Sequence, residues 1–511
     1  MIPNFKPQLI KRRSGPPPAK PAPSSKPPQN SSTRQSNTAP PSSRFKLTAS
    51  NKSRTASPAA RAESSRYLSP PRPRVQTKKR KVSPSAAILW GSDSDDESDG
   101  SHDDSASDRK RQKTSSSVEP AFHHIWSLKP DHQRRIRVHP KPSEQPTSNS
   151  SSTDGPILPA RLIDSIKLTR GAWAKHYKSP FPDLDRNLIV SLQYPSPGRR
   201  EEFEIICPPP TSDDVNPLDD IFYTINEIIQ HYLPAQLDKD LKLSDDADGI
   251  VRRLKRAVTK NQPDEFRDAL EKFNTIIKDN LESISDQIDS MHSLPLDLVN
   301  RITIQTYQRT VSHRAHLLRR VKDKEFTYGE LKYKLAHKIF EQTGLNSKSV
   351  FVDLGSGVGN VVLQAALQTG AESYGIEVLE TPADFALDQA SELRARAKLW
   401  NISLGLIQLW HGDFLASPEI DAVLHRADVV LVNNKVFPQD TNFELLNKFL
   451  DLKAGAKIVS LESFGAGAGK QGSRNENNIF NIFDEELFES GTNMVSWTDA
   501  AVEYYIATKR C

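Results

Sequence analysis

Residues 331–511 predict a doubly wound α/β sheet. Three observations carry that expectation. Short β-rich runs alternate with stretches of helical period. The first run ends in a glycine-rich turn that opens a helix. The second ends on an acid, Glu377, 24 residues after the acid of the first, Asp353. A helical region precedes this part, and a long basic tail precedes both.

In chain order, Val350-Phe351-Val352-Asp353 reads as a buried strand, and 360–369 as the following helix. Ser373-Tyr374-Gly375-Ile376-Glu377 is the second strand. Thr381 and Pro382 then predict a helix start, as N-cap and first-turn proline. Its inward face would carry Ala383, Leu387, Ala390, Leu393, Ala397 and Trp400. Runs at 406–409, 427–434 and 456–461 complete five strands. Upstream, 156–330 reads as mainly helical. The best helix is expected over 263–288, where Phe266, Leu270, Phe273, Ile277, Leu281 and Ile284 line one face. A second is expected over 219–233, and Cys207-Pro208-Pro209-Pro210 breaks any regular element.

The first 150 residues hold 28 Lys/Arg, 12 Asp/Glu, 21 of the 37 prolines and 29 serines. Their net charge is +16, against −11 for residues 151–511. Too little apolar surface exists there to offset chain entropy, so residues 1–155 read as disordered. Two basic knots, Lys78-Lys79-Arg80-Lys81 and Arg109-Lys110-Arg111-Gln112-Lys113, flank an acidic block at 92–99. They suit nuclear import or contact with a phosphate backbone, or form a solvated linker.

Composition also excludes. Two cysteines, Cys207 and Cys511, make no disulfide framework, and no C-x-x-C pair suggests structural zinc. No metal is expected. No apolar run approaches a membrane span, and the N-terminus lacks an apolar signal region, so a soluble intracellular protein is expected. Neither H-E-x-x-H nor G-x-S-x-G occurs, and the P-loop-like Gly469-Lys470 lacks the motif's first glycine and its Ser/Thr.

The motif that carries chemistry is Asp353-Leu354-Gly355-Ser356-Gly357-Val358-Gly359-Asn360. It lies at the end of a strand, where open α/β sheets bind ligands. A pyrophosphate fingerprint would need glycine where Asn360 stands. The G-x-G-x-G spacing suits a nucleoside without phosphates, and Glu377 is placed to accept from both ribose hydroxyls. Together these suggest S-adenosylmethionine, hence a class I S-adenosylmethionine-dependent methyltransferase fold. Asp413 and Phe414, after the third strand, would meet the adenine, or else cap a turn and fill core. Asn433 and Asn434, at the end of the fourth, would sit near the methyl group, or cap a turn.

With these residues assembled, the chain resembles the disruptor-of-telomeric-silencing family, the non-SET methyltransferases of lysine 79 in histone H3, and looks like a fungal member. The resemblance rests on Phe326-Thr327-Tyr328-Gly329-Glu330, Phe351 to Asn360, Glu377, Asp413-Phe414, Asn433-Asn434, Val495-Ser496-Trp497-Thr498 and Tyr504-Tyr505. It implies that Tyr328, Gly329, Glu330 and Leu331 close over the cofactor, with Glu330 facing its ammonium. It implies that Phe351, Val352, Asp353, Leu354, Gly355, Ser356, Gly357, Val358, Gly359 and Asn360 belong to the cofactor site, with Glu377, Asp413 and Phe414. Asn433 would position the methyl end, and Phe437, Trp497 and Tyr504 would wall the lysine channel. The resemblance further implies a nuclear enzyme acting on nucleosomes and stimulated by ubiquitin on histone H2B. Roles in chromatin regulation, telomeric silencing and the DNA-damage and meiotic checkpoints would follow, with the basic tail on nucleosomal DNA. One residue departs from the family pattern: Lys435 stands where an aromatic is usual. Two rival readings are a methyltransferase of nucleic-acid amines, which lacks its usual N-P-P-Y here, and a catalytically decayed chromatin scaffold.

Overall fold

The computed structural model describes residues 126–144, 160–210, 212, 214–320, 329–465 and 479–510. The two basic knots, the acidic block and Tyr328 lie outside the described residues.

Seven strands form the main sheet: β3 (Val350–Leu354), β4 (Glu372–Glu377), β5 (Ile407–His411), β6 (Val429–Val432), β7 (Lys457–Ser460), β8 (Phe483–Glu489) and β9 (Glu503–Lys509). Their order is β5-β4-β3-β6-β7-β9-β8. β5 through β7 are parallel, and β9 runs antiparallel to both neighbours. All five residues of β3 and all four of β6 are buried, as near-continuous apolar runs require when helices cover both faces. Leu354 pairs with Ile376 on one side and Val432 on the other. That register brings Asp353, Glu377 and Asn433 to the same edge of the sheet. The strand order reverses between β3 and β6, which opens the crevice where such sheets bind ligands.

The five expected strands form within a few residues of their expected bounds. The helix after β4 begins two residues early, as Glu380–Leu399 with Leu379 at its N-cap. Thr381 and Pro382 therefore lie inside the first turn. The expected 263–288 helix is two, Pro263–Asp279 and Leu281–Asp289. Asn280 leaves the helical region (φ −111°, ψ 20°) and turns its side-chain amide onto the Ile276 carbonyl at 2.8 Å. The Pro217–Tyr232 helix has proline in its first turn, and the Asn216 side chain accepts from Leu218 N at 3.1 Å.

The region upstream is not helical alone. A hairpin of β1 (Ile189–Leu192) and β2 (Glu201–Glu204) lies between the helices. Glu201 opens β2 and is completely buried. It receives Arg309 at 2.7 Å, Arg396 at 2.9 Å and the Tyr194 hydroxyl at 2.7 Å. Arg309 also pairs with Asp220 at 2.6 Å, and Arg396 with Glu392 at 2.8 Å. Arg301 pairs with Asp220. Burial alone would raise the Glu201 and Asp220 carboxyls, but the neighbouring guanidiniums hold both below the usual range. Three carboxylates thus face three guanidiniums, joining the hairpin and the Leu296–Thr310 helix to the Glu380–Leu399 helix of the main sheet.

The composition assigns 126–144 to the tail, yet these residues lie against the body. Arg134 donates to the carbonyls of Leu367 (2.7 Å), Gln368 (2.6 Å) and Ser403 (3.0 Å). Two of these close the Asn360–Thr369 helix, whose last carbonyls lack intrahelical partners. Burial brings the Arg134 guanidinium down to about 10, so it keeps its charge at neutral pH. Arg137 pairs with Asp289 at 2.7 Å and Glu144 at 3.0 Å, and Ile136 is buried. Ser403 N donates to the Ile136 carbonyl, and His139 N to Asn401 Oδ1. Composition measures average apolar content; two arginines with specific carbonyls and carboxylates hold this segment instead.

Candidate active site

A cavity of about 480 Å³ opens at the edge of the sheet where the strand order reverses. Its floor is the turn after β3. Gly355, Gly357 and Gly359 have φ of 88°, 54° and 84°, a region in which a side chain is strained. The turn is tied down by Gly355 N and Ser356 N, which both donate to the Ile376 carbonyl. Gly375 lies beneath it, where a Cβ would meet Ser356 Oγ and Leu409 Cδ2 at 2.8 Å each.

Glu377 ends β4. One of its oxygens accepts from Gly357 N and the other from Leu379 N, each at 2.8 Å. These bonds orient the carboxylate and leave a further lone pair on each oxygen. Burial raises the Glu377 carboxyl despite them. Among the described residues, no donor reaches the Asp353 carboxyl, which also lines the cavity. Burial first, and then the Glu377 charge, push it up to about 8. Glu330 contributes a third carboxylate. Its backbone exchanges hydrogen bonds with Ser496 N (2.9 Å) and Ser496 Oγ (2.8 Å), and its Oε2 accepts from Asn360 at 3.0 Å.

Asp413 is exposed at the rim and accepts from Leu415 N at 2.8 Å. Phe414 and Phe437 stack with centroids 5.8 Å apart and make an apolar wall. Asn433 lines the cavity and donates to the Gly329 carbonyl at 3.3 Å. Trp497 covers Gly329, where a Cβ would meet its ring at 2.7 Å. Lys435 also lines the cavity and pairs with Glu462.

The structure thus brings together Gly329, Glu330, Leu331, Asp353, Gly355, Ser356, Gly357, Asn360, Glu377, Asp413, Phe414, Asn433, Phe437 and Trp497. Other residues expected at the site stand elsewhere. The Phe351, Val352 and Leu354 side chains point into the cores on the two faces of the sheet. Val358 packs with Tyr307, Val311 and Phe385 beneath the turn. Gly359 N-caps the helix, with room for a Cβ only 3.2 Å from Ala386 Cβ. Tyr504, expected in the channel wall, is fully buried in the core. It stacks on Phe488 and donates to Gln342 at 2.6 Å. Side chains alternate along β9, so its neighbour Tyr505 faces the Lys435–Glu462 side. Asn434 is structural: its Oδ1 accepts from Leu461 N and Glu462 N, fastening the end of β6 to the end of β7.

Sequence reasoning missed Val361, Val378, Leu379, Leu415, Leu431, Val436, Pro438 and Thr441 in the lining. Val378 and Leu379 directly follow Glu377 and could have been found from the strand end alone. Pro438 and Thr441 depend on how the chain turns after Phe437, and no motif marks that.

S-adenosylmethionine fits this cavity. The molecule is a nucleoside bearing a sulfonium and an amino-acid end. The cavity offers it four carboxyl side chains, an aromatic wall and a backbone turn built of glycines. Among the described lining residues the cation is Lys435, and it is paired with Glu462.

The antiparallel strand between β7 and β8 sets this sheet apart from the all-parallel dinucleotide-binding one. With the carboxylate-lined cavity at the reversal point, it defines a class I S-adenosylmethionine-dependent methyltransferase. Comparison with known proteins narrows the class. The family model described as "Histone methylation protein DOT1" matches residues 307–509. The protein named "Histone-lysine N-methyltransferase, H3 lysine-79 specific" from Aspergillus fumigatus is 40% identical over 419 residues, spanning 80% of this chain and 79% of its own. Its counterpart of the same name from Emericella nidulans is 40% identical over 387 residues, spanning 75% and 74%. That from Gibberella zeae is 38% identical over 332 residues, spanning 63% and 66%. The chain belongs to this DOT1 family of histone methyltransferases.

Proposed function

We propose that the chain transfers methyl groups to lysine 79 of histone H3 in the nucleosome. The observation that carries this reading is the cavity itself. Four carboxyl side chains converge where the strand order reverses, beside an apolar wall, in a chain of this family. When bound, S-adenosylmethionine supplies a methyl carbon activated by the adjoining sulfonium.

The chain's own residues bind and orient. Glu377 accepts from the ribose hydroxyls. Asp413 accepts from the adenine amine, and Phe414 with Phe437 packs on the ring. Glu330 faces the ammonium, and Asn433 stands beside the methyl end. A lysine amine has a reference pKa of about 10.4 and arrives charged. The apolar surfaces of Phe437 and Trp497 disfavour that charge, so the amine enters neutral after giving its proton to water. Rate then rests on alignment of the reacting atoms. The basic residues upstream of the body would contact nucleosomal DNA without sequence preference. Nuclear location, stimulation by ubiquitin on histone H2B, and roles in telomeric silencing and the checkpoints follow from the family resemblance.

The test is methyl transfer from labelled cofactor to nucleosomes, free histone H3 and RNA side by side, with mass spectrometry of the product. Label on lysine 79, strongest with nucleosomes, is expected. Label on RNA alone, or none, overturns the reading.

A further inference from the structure

Behind the cavity lies a buried side chain that neither the motif nor the resemblance assigns. Gln389, on the Glu380–Leu399 helix, is 1% exposed. Its amide nitrogen donates twice: to the Val358 carbonyl at 2.6 Å and to Asn360 Oδ1 at 3.0 Å. Asn360 Nδ2 in turn donates to Glu330 Oε2 at 3.0 Å.

The direction of this chain of bonds is forced. A backbone carbonyl can only accept, so the Gln389 NH₂ must face Val358. The second hydrogen of that NH₂ then needs an acceptor, which turns the Asn360 oxygen toward Gln389. The Asn360 NH₂ is left facing the Glu330 carboxylate. Were Asn360 reversed, its oxygen would confront that carboxylate, and Glu330 would lose a donor in a low-dielectric wall.

We propose that Gln389 is a positioning residue. It fixes the Asn360 amide so that Glu330 stays oriented toward the ammonium of the bound cofactor. The inference rests on the cofactor reading of the cavity, and it adds a residue 59 positions from the carboxylate it serves.

Gln389→Glu is the informative variant, because it keeps size and shape. A buried carboxylic acid has one proton where the amide has two. It can serve Val358 or Asn360 but not both, and serving Val358 turns an oxygen toward Asn360 and reverses it. Gln389→Met is the second variant, free of added charge. Binding of S-adenosylhomocysteine and of 5′-methylthioadenosine, which lacks the amino-acid end, is measured by calorimetry on the full chain. Melting curves accompany each variant.

Gln389→Glu is expected to weaken S-adenosylhomocysteine on the order of tenfold or more, as loss of a charged hydrogen bond does. Binding of 5′-methylthioadenosine should change less than about twofold, the margin within which a purely local amino-end effect would leave it. In an Asn360→Ala background the same change should have little further effect, as expected for residues acting in one chain of bonds. Equal weakening of both ligands overturns the proposal and makes Gln389 a packing residue. A full effect in the Asn360→Ala background overturns it as well. Glu377→Ala separates the two levels. If it too leaves S-adenosylhomocysteine unaffected, the cofactor reading of the cavity fails. If it weakens binding and both Gln389 variants do not, only the role of Gln389 fails.

Discussion

Arg396 and Glu201 are 195 residues apart in the chain and 2.9 Å apart in the fold, both fully buried. The pair joins the hairpin of the upstream region to the helix beside the cofactor cavity. Glu201→Ala would leave Arg309 and Arg396 buried with their shared partner gone. Breaking a buried pair in this way costs about 3–5 kcal/mol, read as a lowered urea midpoint. The sign with pH follows from the depressed carboxyls of Glu201 and Asp220. Their contribution is present above the unfolded value near pH 4 and is lost as pH falls through the folded values. Glu201→Gln should therefore flatten the acid limb of the stability curve; an unchanged limb refutes the assignment.

Asp353 titrates the other way. Its carboxyl is raised to about 8, so the protonated form is the stable one in the ligand-free fold. The contribution is fully present below about pH 4, the unfolded value, and is lost as pH rises through 8. The melting temperature of the ligand-free protein should fall between pH 5 and 8 through this group. Asp353→Asn should remove much of that slope in scanning calorimetry, and an undiminished slope would place its origin elsewhere.

Glu377→Ala should weaken cofactor binding by roughly 1.5–3 kcal/mol, the range for hydrogen bonds to a charged group. The loss also frees Gly357 N and Leu379 N from their shared acceptor. A 2′-deoxy analogue should lose much of its affinity for the wild type and little more in the variant. Equal binding of the natural cofactor by both proteins counts against the ribose role.

The 126–144 segment fixes where the chain can be shortened. Removing residues 1–125 takes away a net charge of +13 and none of the contacts of Arg134 or Arg137. Cofactor affinity should survive, while methylation of nucleosomes falls and loses its steep salt dependence. Removing 1–144 should in addition lower stability. Arg134→Ala alone should cost at least about 1.5–3 kcal/mol, the worth of one charged hydrogen bond. Equal melting temperatures for the two truncations would show that the segment holds nothing.

The sheet was legible because its signal is local. Buried parallel strands read as apolar runs, and the glycine turn with Asp353 and Glu377 sits at strand ends that the same runs define. The misplaced residues were in and around that motif. Phe351, Val352, Leu354 and Val358 belong to the pattern because they pack the turn, and periodicity cannot separate packing from lining. Tyr504 failed for a related reason: its facing depends on the register of β9 against β7, which pairs Tyr505 with Ser460. The buried ionic joint was invisible because Glu201, Asp220, Arg309 and Arg396 are scattered over nearly 200 residues. The 126–144 segment was hidden by an average that its prolines and charges dominate.

That segment also bears on the order of events during synthesis. Arg134 meets Gln368 and Ser403, which follow it by 234 and 269 residues. Translation at about 5–20 residues per second separates their emergence by on the order of ten to fifty seconds. For that interval Arg134 exists without its carbonyl partners, whereas Asp289, the partner of Arg137, emerges earlier; the docking of Arg134 is therefore a late step that follows synthesis of β3 and β4. A nascent chain halted before Leu367 should therefore be cut by protease beside Arg134 more readily than one released from the ribosome.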